Sequence, residues 1–419
     1  MDGQEKRPGS AVLIYLMPAL MDMALSLVLF VGTVRIARLG GDATRSATVL
    51  AIWSLVYIAA CPLIGRIVTP GNARRLVLSG CLLFAVACAA LAAAATYVPM
   101  IFLVGVTGLS SALFFISFQI FMKDVDAAGG RPMTYSVGLY TFAWSAGFAC
   151  GPLASGFIMQ FGTPAAGGGE GSGWRFAFLF GASVALALSA VLAIAFRDRN
   201  QSAAITPAAP SRVPDPRYAA MPDLAWLGWI AAATGFAALS VNRTVFASRA
   251  VSELHLADGT IGTIFFALCI AQAFTGLALI RSRFWMYRPL PVAAFALPGI
   301  AGLLCLAFGQ HVALLVAGGA LFGVYSGAFC FYLVFHSLVH PEHAGKYVAV
   351  NETIVGLSSF VAPLIGGKLA DMYGFPNPFL VAAGLLVLTA VFQCAVHRRK
   401  RSQIREQRSE VTSQRSANV

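Results

Sequence analysis

Long apolar runs separated by short polar stretches make up most of the chain. Each run is close to the roughly 20 residues that a helix needs to cross about 30 Å of hydrocarbon. The pattern therefore predicts an all-α membrane protein with twelve transmembrane helices. The predicted spans are Leu13–Val34, Thr48–Ile67, Leu76–Tyr97, Met100–Met122, Tyr135–Phe161, Trp174–Phe196, Leu224–Phe246, Ile261–Ile280, Leu290–Phe308, Val312–Val339, Tyr347–Leu369 and Phe379–Val396.

The composition excludes a water-soluble domain. Of the 419 residues, 58% are hydrophobic and only 11% are charged, whereas soluble domains have about 25% charged residues. The mean hydropathy is +0.77 and the net charge is +12. Because the positive charge concentrates in the loops and the tail of a membrane protein, it does not indicate binding to nucleic acid.

The segment Arg197–Asp223 differs from its surroundings because it is rich in proline and charge and has no apolar periodicity. Such a composition is typical of a linker. It predicts an N-terminal six-helix bundle over residues 1–196, a linker over 197–223, a C-terminal six-helix bundle over 224–397 and a basic tail over 398–419. Lys6 and Arg7 precede the first run, but that run is longer than a signal peptide's apolar region, so we expect a retained helix.

Lysine and arginine predict the orientation. If the linker and both termini share one side, that side carries 22 of the 29 Lys and Arg residues, and the other side carries 7. Cytoplasmic loops carry the excess of these residues, so both termini are expected in the cytoplasm. We expect a monomeric, multi-pass protein of a bacterial inner membrane.

Small side chains recur along the fifth span at Ala143, Gly147, Gly151 and Ser155, four residues apart, with Pro152 beside them. This spacing places them on one face of a helix, where they permit close packing. A shift of 211 residues aligns Gly151–Gly156 with Ala362–Gly367, so the fifth and eleventh spans are the same element in two parallel halves. The residues expected to support conformational change are Gly147, Gly151, Pro152, Gly156, Pro363, Gly366 and Gly367.

The spacing of Gly138, Gly147, Gly151-Pro152 and Ser155-Gly156 resembles the fifth-helix signature of the major facilitator superfamily, especially its drug:proton antiporter branch. The resemblance implies two pseudo-symmetric six-helix bundles that transport a small, amphipathic organic solute by alternating access, with proton-coupled efflux. Proton-coupled uptake of a small metabolite and a nontransporting receptor on the same fold stay open as alternatives.

Two positions depart from the pattern of the family that the chain resembles. The loop Gly65–Arg75 has Thr69 where the family has an aspartate, and Val104 stands where the fourth helix of the antiporters has an arginine. That arginine is implicated in proton coupling in those relatives. If this chain couples to protons, we therefore expect another residue to carry them.

Ionisable residues inside the spans are candidates for that role, because a charge at mid-membrane costs at least about 2.5–3.5 kcal/mol on insertion scales. Asp22 lies about midway along the first span, and Glu352 lies near the start of the eleventh. His336 ends the tenth span, and we expect it to pair with Glu352. A structural carboxyl is the alternative for Asp22. Arg35 and Arg243 are interpreted as snorkelling residues near outer helix ends.

Polar and aromatic side chains in spans that line the cavity of this fold predict a site for an amphipathic molecule, with Asp22 and Glu352 able to accept a cation. Each aromatic side chain has packing as its alternative role. The predicted substrate-binding residues are Trp53, Tyr57, Gln119, Tyr140, Trp144, Asn242, Gln272, Tyr332 and Asn351.

No cofactor is expected. The chain contains no Gly-x-x-x-x-Gly-Lys-Ser/Thr loop for ATP and no nucleophile–base set of an enzyme. The eight cysteines lie in apolar spans without a Cys-x-x-Cys pair and are expected to be buried thiols. His336, His340, Glu342 and His343 have spacings that suit a metal, but Pro341 breaks the helix that would hold the first two on one face, so we favour a polar loop.

Overall fold

The computed structural model describes residues 9–69, 71–129, 133–162, 171–196, 223–279, 288–338 and 344–417. Within these ranges are twelve helices long and apolar enough to cross a membrane, and no strand. The predicted all-α fold class is confirmed. The helices are α1 Gly9–Arg38, α2 Ala43–Ile67, α3 Ala73–Ala93, α4 Tyr97–Gly129, α5 Met133–Phe161, α6 Gly173–Ala195, α7 Ala225–Ser252, α8 Asp258–Leu279, α9 Pro289–Phe308, α10 Val312–Leu338, α11 Ala344–Tyr373 and α12 Pro376–Ala417.

Helical structure follows from the apolar surroundings, because a helix satisfies its own backbone N–H and C=O groups where no water can. Several helices extend beyond their predicted ends, and two of these extensions change the interpretation. The seventh span was expected to end at Phe246, but α7 continues to Ser252 through a π-helical segment, Asn242–Phe246. The twelfth was expected to end at Val396, but α12 continues to Ala417, so the basic tail is helical. The linker 197–222 lies outside the described residues.

The two halves meet along two helix pairs, α5 with α8 and α2 with α11. Within the halves, α1 packs against α5 and α6, and α7 packs against α11. We call the end of the bundle where α6 ends and α7 begins the linker face. The opposite end, where α1 ends and α2 begins, is called the distal face.

The small side chains of α5 do form a close helix contact. A methyl group on Gly147 would overlap the Ala19 carbonyl of α1, and one on Gly151 would overlap Met23 and Ser26 of the same helix. The contact therefore lies within the N-terminal half and not between the halves. A role for these glycines in conformational change stays a prediction.

Each half uses a buried arginine to tie its first helix to its third. Arg35 donates from α1 to the carbonyl oxygens of Ala94 and Ala95, at 2.6 and 3.0 Å, and its guanidinium lies 3.3 Å from the Trp174 ring centroid. Arg249 donates likewise from α7 to the carbonyl of Leu306, near the end of α9. The snorkelling interpretation of Arg35 is wrong, because the side chain is buried and its hydrogen bonds are internal.

Arg74 has a similar role at the linker face. Thr69 stands where the resemblance led us to expect an acidic partner, and Arg74 donates instead to the carbonyl oxygens of Leu192 and Ala193, both at 3.1 Å. These carbonyls end α6 and have no partner within that helix. Arg74 thus holds α3 against α6 inside the N-terminal half.

Candidate functional site

Asp22 is a fully buried acid at the middle of α1, and neither of its carboxylate oxygens has a hydrogen-bond partner among the described residues. The guanidinium of Arg243 and the indole of Trp144 face Asp22. Neither is in a position to complete a hydrogen bond with its carboxylate. An unpaired buried charge is costly. The site therefore requires a proton, a water or a ligand at Asp22.

Arg243 belongs to the π-helical segment of α7 and not to an outer helix end, so its snorkelling interpretation is also wrong. π segments alter the direction of the side chains that follow and are frequent at functional sites. The guanidinium lies 4.1 Å from the Phe148 ring centroid and contacts the Cys269 thiol. Its Nε and Nη2 have no hydrogen-bond partner in the described part of the chain.

Tyr140 connects this charged pair to a second acid. Tyr140 lies within electrostatic range of both Asp22 and Glu352 and contacts the amide of Gln119. Glu352 also lies within electrostatic range of Tyr57, on α2. With Trp144, six of the predicted site residues are thus neighbours at the centre of the bundle, and the structure adds Arg243 to them.

Aromatic rings form the walls around these charges. The Trp53 and Tyr57 rings stack with centroids 5.1 Å apart, and Tyr140 stacks on Phe118 at 6.2 Å. Trp144 packs next to Phe148 at 6.2 Å. A site of this kind, with aromatic faces and a few charges, suits an amphipathic organic molecule.

The distal face carries a contact between the halves that we call the distal gate, formed by α5 on the start of α8 and by α11 on the start of α2. Gln160 of α5 accepts the Gly259 N–H through its Oε1, at 3.2 Å. Asp371 of α11 accepts the N–H groups of Ala43 and Thr44, at 2.9 and 3.0 Å. Both side chains supply acceptors to helix N-termini, where backbone donors lack partners.

Close backbone approach accompanies both caps. A methyl group on Gly156 would lie 2.5 Å from the Asp258 carbonyl oxygen, and one on Gly367 would lie 2.7 Å from the Thr44 Cα. Arg38, at the end of α1, adds an ion pair with Asp258 at 2.8 Å. The two halves are therefore closed against each other at the distal face.

The pattern of two half-bundles with a shared central site and repeated contacts has a match in a known family. The model of the Major Facilitator Superfamily matches residues 11–335 and, in a second match, residues 228–417. The chain belongs to the major facilitator superfamily. A search of curated proteins finds no match.

Solved structures of major facilitators share the fold. The nucleoside transporter NupG is 14% identical, over 92% of this chain and 98% of that chain, with a TM-score of 0.65. A bacterial homolog to the human lysosomal transporter Spinster, inward-facing and unoccupied, is 13% identical over 94% and 98%, with a TM-score of 0.70. Its occupied, inward-facing form is 14% identical over the same shares, with a TM-score of 0.65.

The other predicted site residues of this major facilitator lie in the C-terminal half, where Gln272 and Asn351 are hydrogen-bonded. Gln272 accepts from Ser326 at 2.8 Å and donates to Ser145 across the halves at 3.4 Å. Asn351 accepts from Trp229 at 2.9 Å and donates to Ser337 at 2.8 Å. Asn242 is buried in the π segment, and its amide nitrogen has no partner among the described residues.

His336 and Glu352 were expected to form a pair, and each has other neighbours in the structure. The His336 ring packs on Tyr332, with centroids 4.4 Å apart, and Tyr332 in turn hydrogen-bonds His397 of α12 at 3.1 Å. Glu352 faces α2 and α5. The expected pairing of His336 with Glu352 stays a prediction.

The suggested metal ligands His340, Glu342 and His343 lie outside the described residues. Within the described ranges, no group of three or more His, Cys, Asp or Glu residues is placed to hold a metal ion.

The sequence interpretation missed Gln160, Asp371 and Arg243. The repeat contains the signal for the first two, since a shift of 211 residues aligns Gln160 with Asp371 just as it aligns Gly156 with Gly367. Arg243 has no such signal. Its position opposite Asp22 depends on the π segment, which apolar periodicity does not reveal.

Proposed function

We propose that this chain is a proton-coupled secondary transporter that exports a small, amphipathic organic solute by alternating access, as in the drug:proton antiporter branch. Family membership supports transport as such. The observation that carries the finer proposal is the fully buried Asp22 carboxylate, without a hydrogen-bond partner, at the junction of α1, α5 and α7. A carboxylate in this position needs its charge compensated before the halves can close around it.

The coupling follows from competition at Asp22. A proton and the solute both compensate the carboxylate, so binding of one favours release of the other. This arrangement does not use an arginine at Val104, the position at which the chain departs from its apparent relatives. Glu352, near Tyr57 and Tyr140, is the second proposed proton carrier. Uptake by symport is the alternative, in which proton and solute would occupy Asp22 and Glu352 together.

The distal gate supports the conformational part of the proposal. With the distal face held closed by Asp371, Gln160 and Arg38, access to the central site is expected from the linker face. We place that face, with both termini, in the cytoplasm of a bacterial cell, because 22 of the 29 Lys and Arg residues belong to that side. We propose that one chain is sufficient for transport.

Flux into proteoliposomes under a pH gradient of either sign tests the proposal. A panel of amphipathic amines, neutral drugs and small metabolites is screened, and proton movement is followed with a dye trapped in the lumen. We expect export against a gradient with the wild-type chain. Asp22→Asn should abolish gradient-driven flux and weaken solute binding, because it mimics the protonated acid, with which the solute competes.

Two further variants make this result specific. Glu352→Gln should have the smaller effect if Asp22 is the main carrier, and Asp42→Asn, an exposed acid at the start of α2, is the matched control. Full gradient-driven flux in both Asp22→Asn and Glu352→Gln would refute proton coupling through these acids. If the wild-type chain binds a solute but does not transport it, the alternative of a nontransporting receptor on the same fold would be favoured.

A further inference from the structure

Opposite charges face each other across the central site without a direct hydrogen bond. Asp22 presents two carboxylate oxygens and Arg243 presents two nitrogen donors, and all four atoms are buried and lack hydrogen-bond partners among the described residues. They are close enough for the charge of Arg243 to act on Asp22. Each charge is therefore available to a ligand group placed between them.

The guanidinium is held so that these donors stay in position. One side of it contacts the Cys269 thiol of α8, and its face lies 4.1 Å from the Phe148 ring centroid of α5. Helices from both halves thus fix the arginine. A fixed guanidinium with two parallel N–H groups is suited to binding a carboxylate with both oxygens.

We propose that this pocket, between α1, α5 and α7, recognises a zwitterion with an aromatic or apolar body. Its ammonium group binds Asp22 and its carboxylate binds Arg243. The inference rests on the proposed transport function, because it specifies the chemical class of the solute that the same site accepts.

Charge balance selects this class over simpler ions. A monovalent cation satisfies Asp22 but leaves the Arg243 donors buried and unpaired, and a monovalent anion does the reverse. An unpaired buried polar group is costly, more so when it is charged. A zwitterion satisfies both ends and brings no net charge into the centre of the membrane. The rings of Trp144 and Phe148, 6.2 Å apart, provide the surface for its apolar body.

Three probes with the same benzene ring distinguish the classes at neutral pH: phenylalanine as the zwitterion, phenethylamine as the cation and 3-phenylpropionate as the anion. Equilibrium binding to the full chain in nanodiscs, without a gradient, gives the three affinities. We expect phenylalanine to bind about tenfold to a hundredfold more tightly than either ion, the factor that corresponds to one buried charged group left unpaired.

Two variants assign the ends of the ligand. Arg243→Gln should reduce the affinity for phenylalanine about tenfold to a hundredfold. It should not weaken phenethylamine binding, because this cation no longer leaves an arginine unpaired. Asp22→Asn should reduce the affinity for phenylalanine to that for 3-phenylpropionate. Arg243→Lys keeps the positive charge but not the paired donors, and it should give an intermediate affinity. Arg175→Gln, an exposed arginine at the start of α6, is the control and should change nothing.

Several results would overturn the inference. The first is that phenethylamine or 3-phenylpropionate binds as tightly as phenylalanine. The second is that Arg243→Gln leaves the affinity for phenylalanine unchanged. The third is that no probe shows saturable binding at millimolar concentration. Since binding is measured without a gradient, these results are independent of proton coupling. Zwitterion binding without proton-coupled flux in the wild-type chain would contradict the proposed antiport and leave the ligand class standing.

Discussion

Asp371 provides a direct way to shift the conformational equilibrium. Its two carboxylate oxygens accept the Ala43 and Thr44 N–H groups across the halves, and its Oδ2 also accepts the Thr44 hydroxyl. Asp371→Asn keeps one acceptor oxygen but removes the negative charge and the second acceptor. We expect this variant to weaken the distal gate and to raise the fraction of molecules that are open at the distal face.

The size of the effect follows from these contacts. A hydrogen bond to a charged group contributes about 1.5–3 kcal/mol and a neutral one about 0.5–1.5 kcal/mol, and a charge at an exposed helix N-terminus contributes about 0.3–1 kcal/mol. Because Asp371 is exposed, the low ends of these ranges apply. A loss of about 1–2 kcal/mol then changes the ratio of closed to open molecules by about 5- to 30-fold.

Electron spin resonance distances across the gate measure this ratio. The spin labels are attached at Leu39→Cys, at the end of α1, and at Tyr373→Cys, at the end of α11, and both positions are exposed. The background is a variant in which the eight native cysteines are replaced. In Asp371→Asn, a larger fraction of molecules should show the longer distance between the two labels, which corresponds to an open distal face. Gln160→Ala should act in the same direction but less strongly, because Gln160 contributes a single neutral acceptor, at 3.2 Å.

A matched control separates the gate from the helix cap. Asp42 also caps the start of α2, through the Arg45 N–H at 2.6 Å, but it lies in the same half as that helix. Asp42→Asn should therefore leave the distances unchanged. If Asp371→Asn also leaves them unchanged, or if both variants open the gate equally, the cross-half cap does not hold the distal face closed.

Two more predictions concern packing and orientation. Gly151→Leu should block transport at normal membrane expression, because even a methyl group there would overlap Met23 and Ser26 of α1; normal flux at normal expression would show that the contact is dispensable. Cysteines placed in 163–173 should react with a membrane-impermeant reagent from outside the cell, whereas those in the linker 197–223 should not, and the reverse labelling would overturn the proposed topology.

Sequence periodicity by itself determined the solvent, the number of helices and the two-fold repeat. Apolar runs of membrane-spanning length leave the backbone no alternative to helices, so the twelve spans follow from local composition. The repeat of Gly151–Gly156 in Ala362–Gly367 is likewise visible in the chain. Asp22 was identifiable because a charge at mid-membrane is expensive wherever the helix packs.

Tertiary structure alone decided which polar residues meet. Asp22 and Arg243 are more than two hundred residues apart, and only the packing of α1 against α7, with the π segment at Asn242–Phe246, brings their charges together. Asn351 and Glu352 are adjacent in the chain, yet one faces Trp229 within its half and the other faces Tyr57 across the halves. Helix rotation separates such neighbours by about 100°, and packing against other helices fixes that rotation.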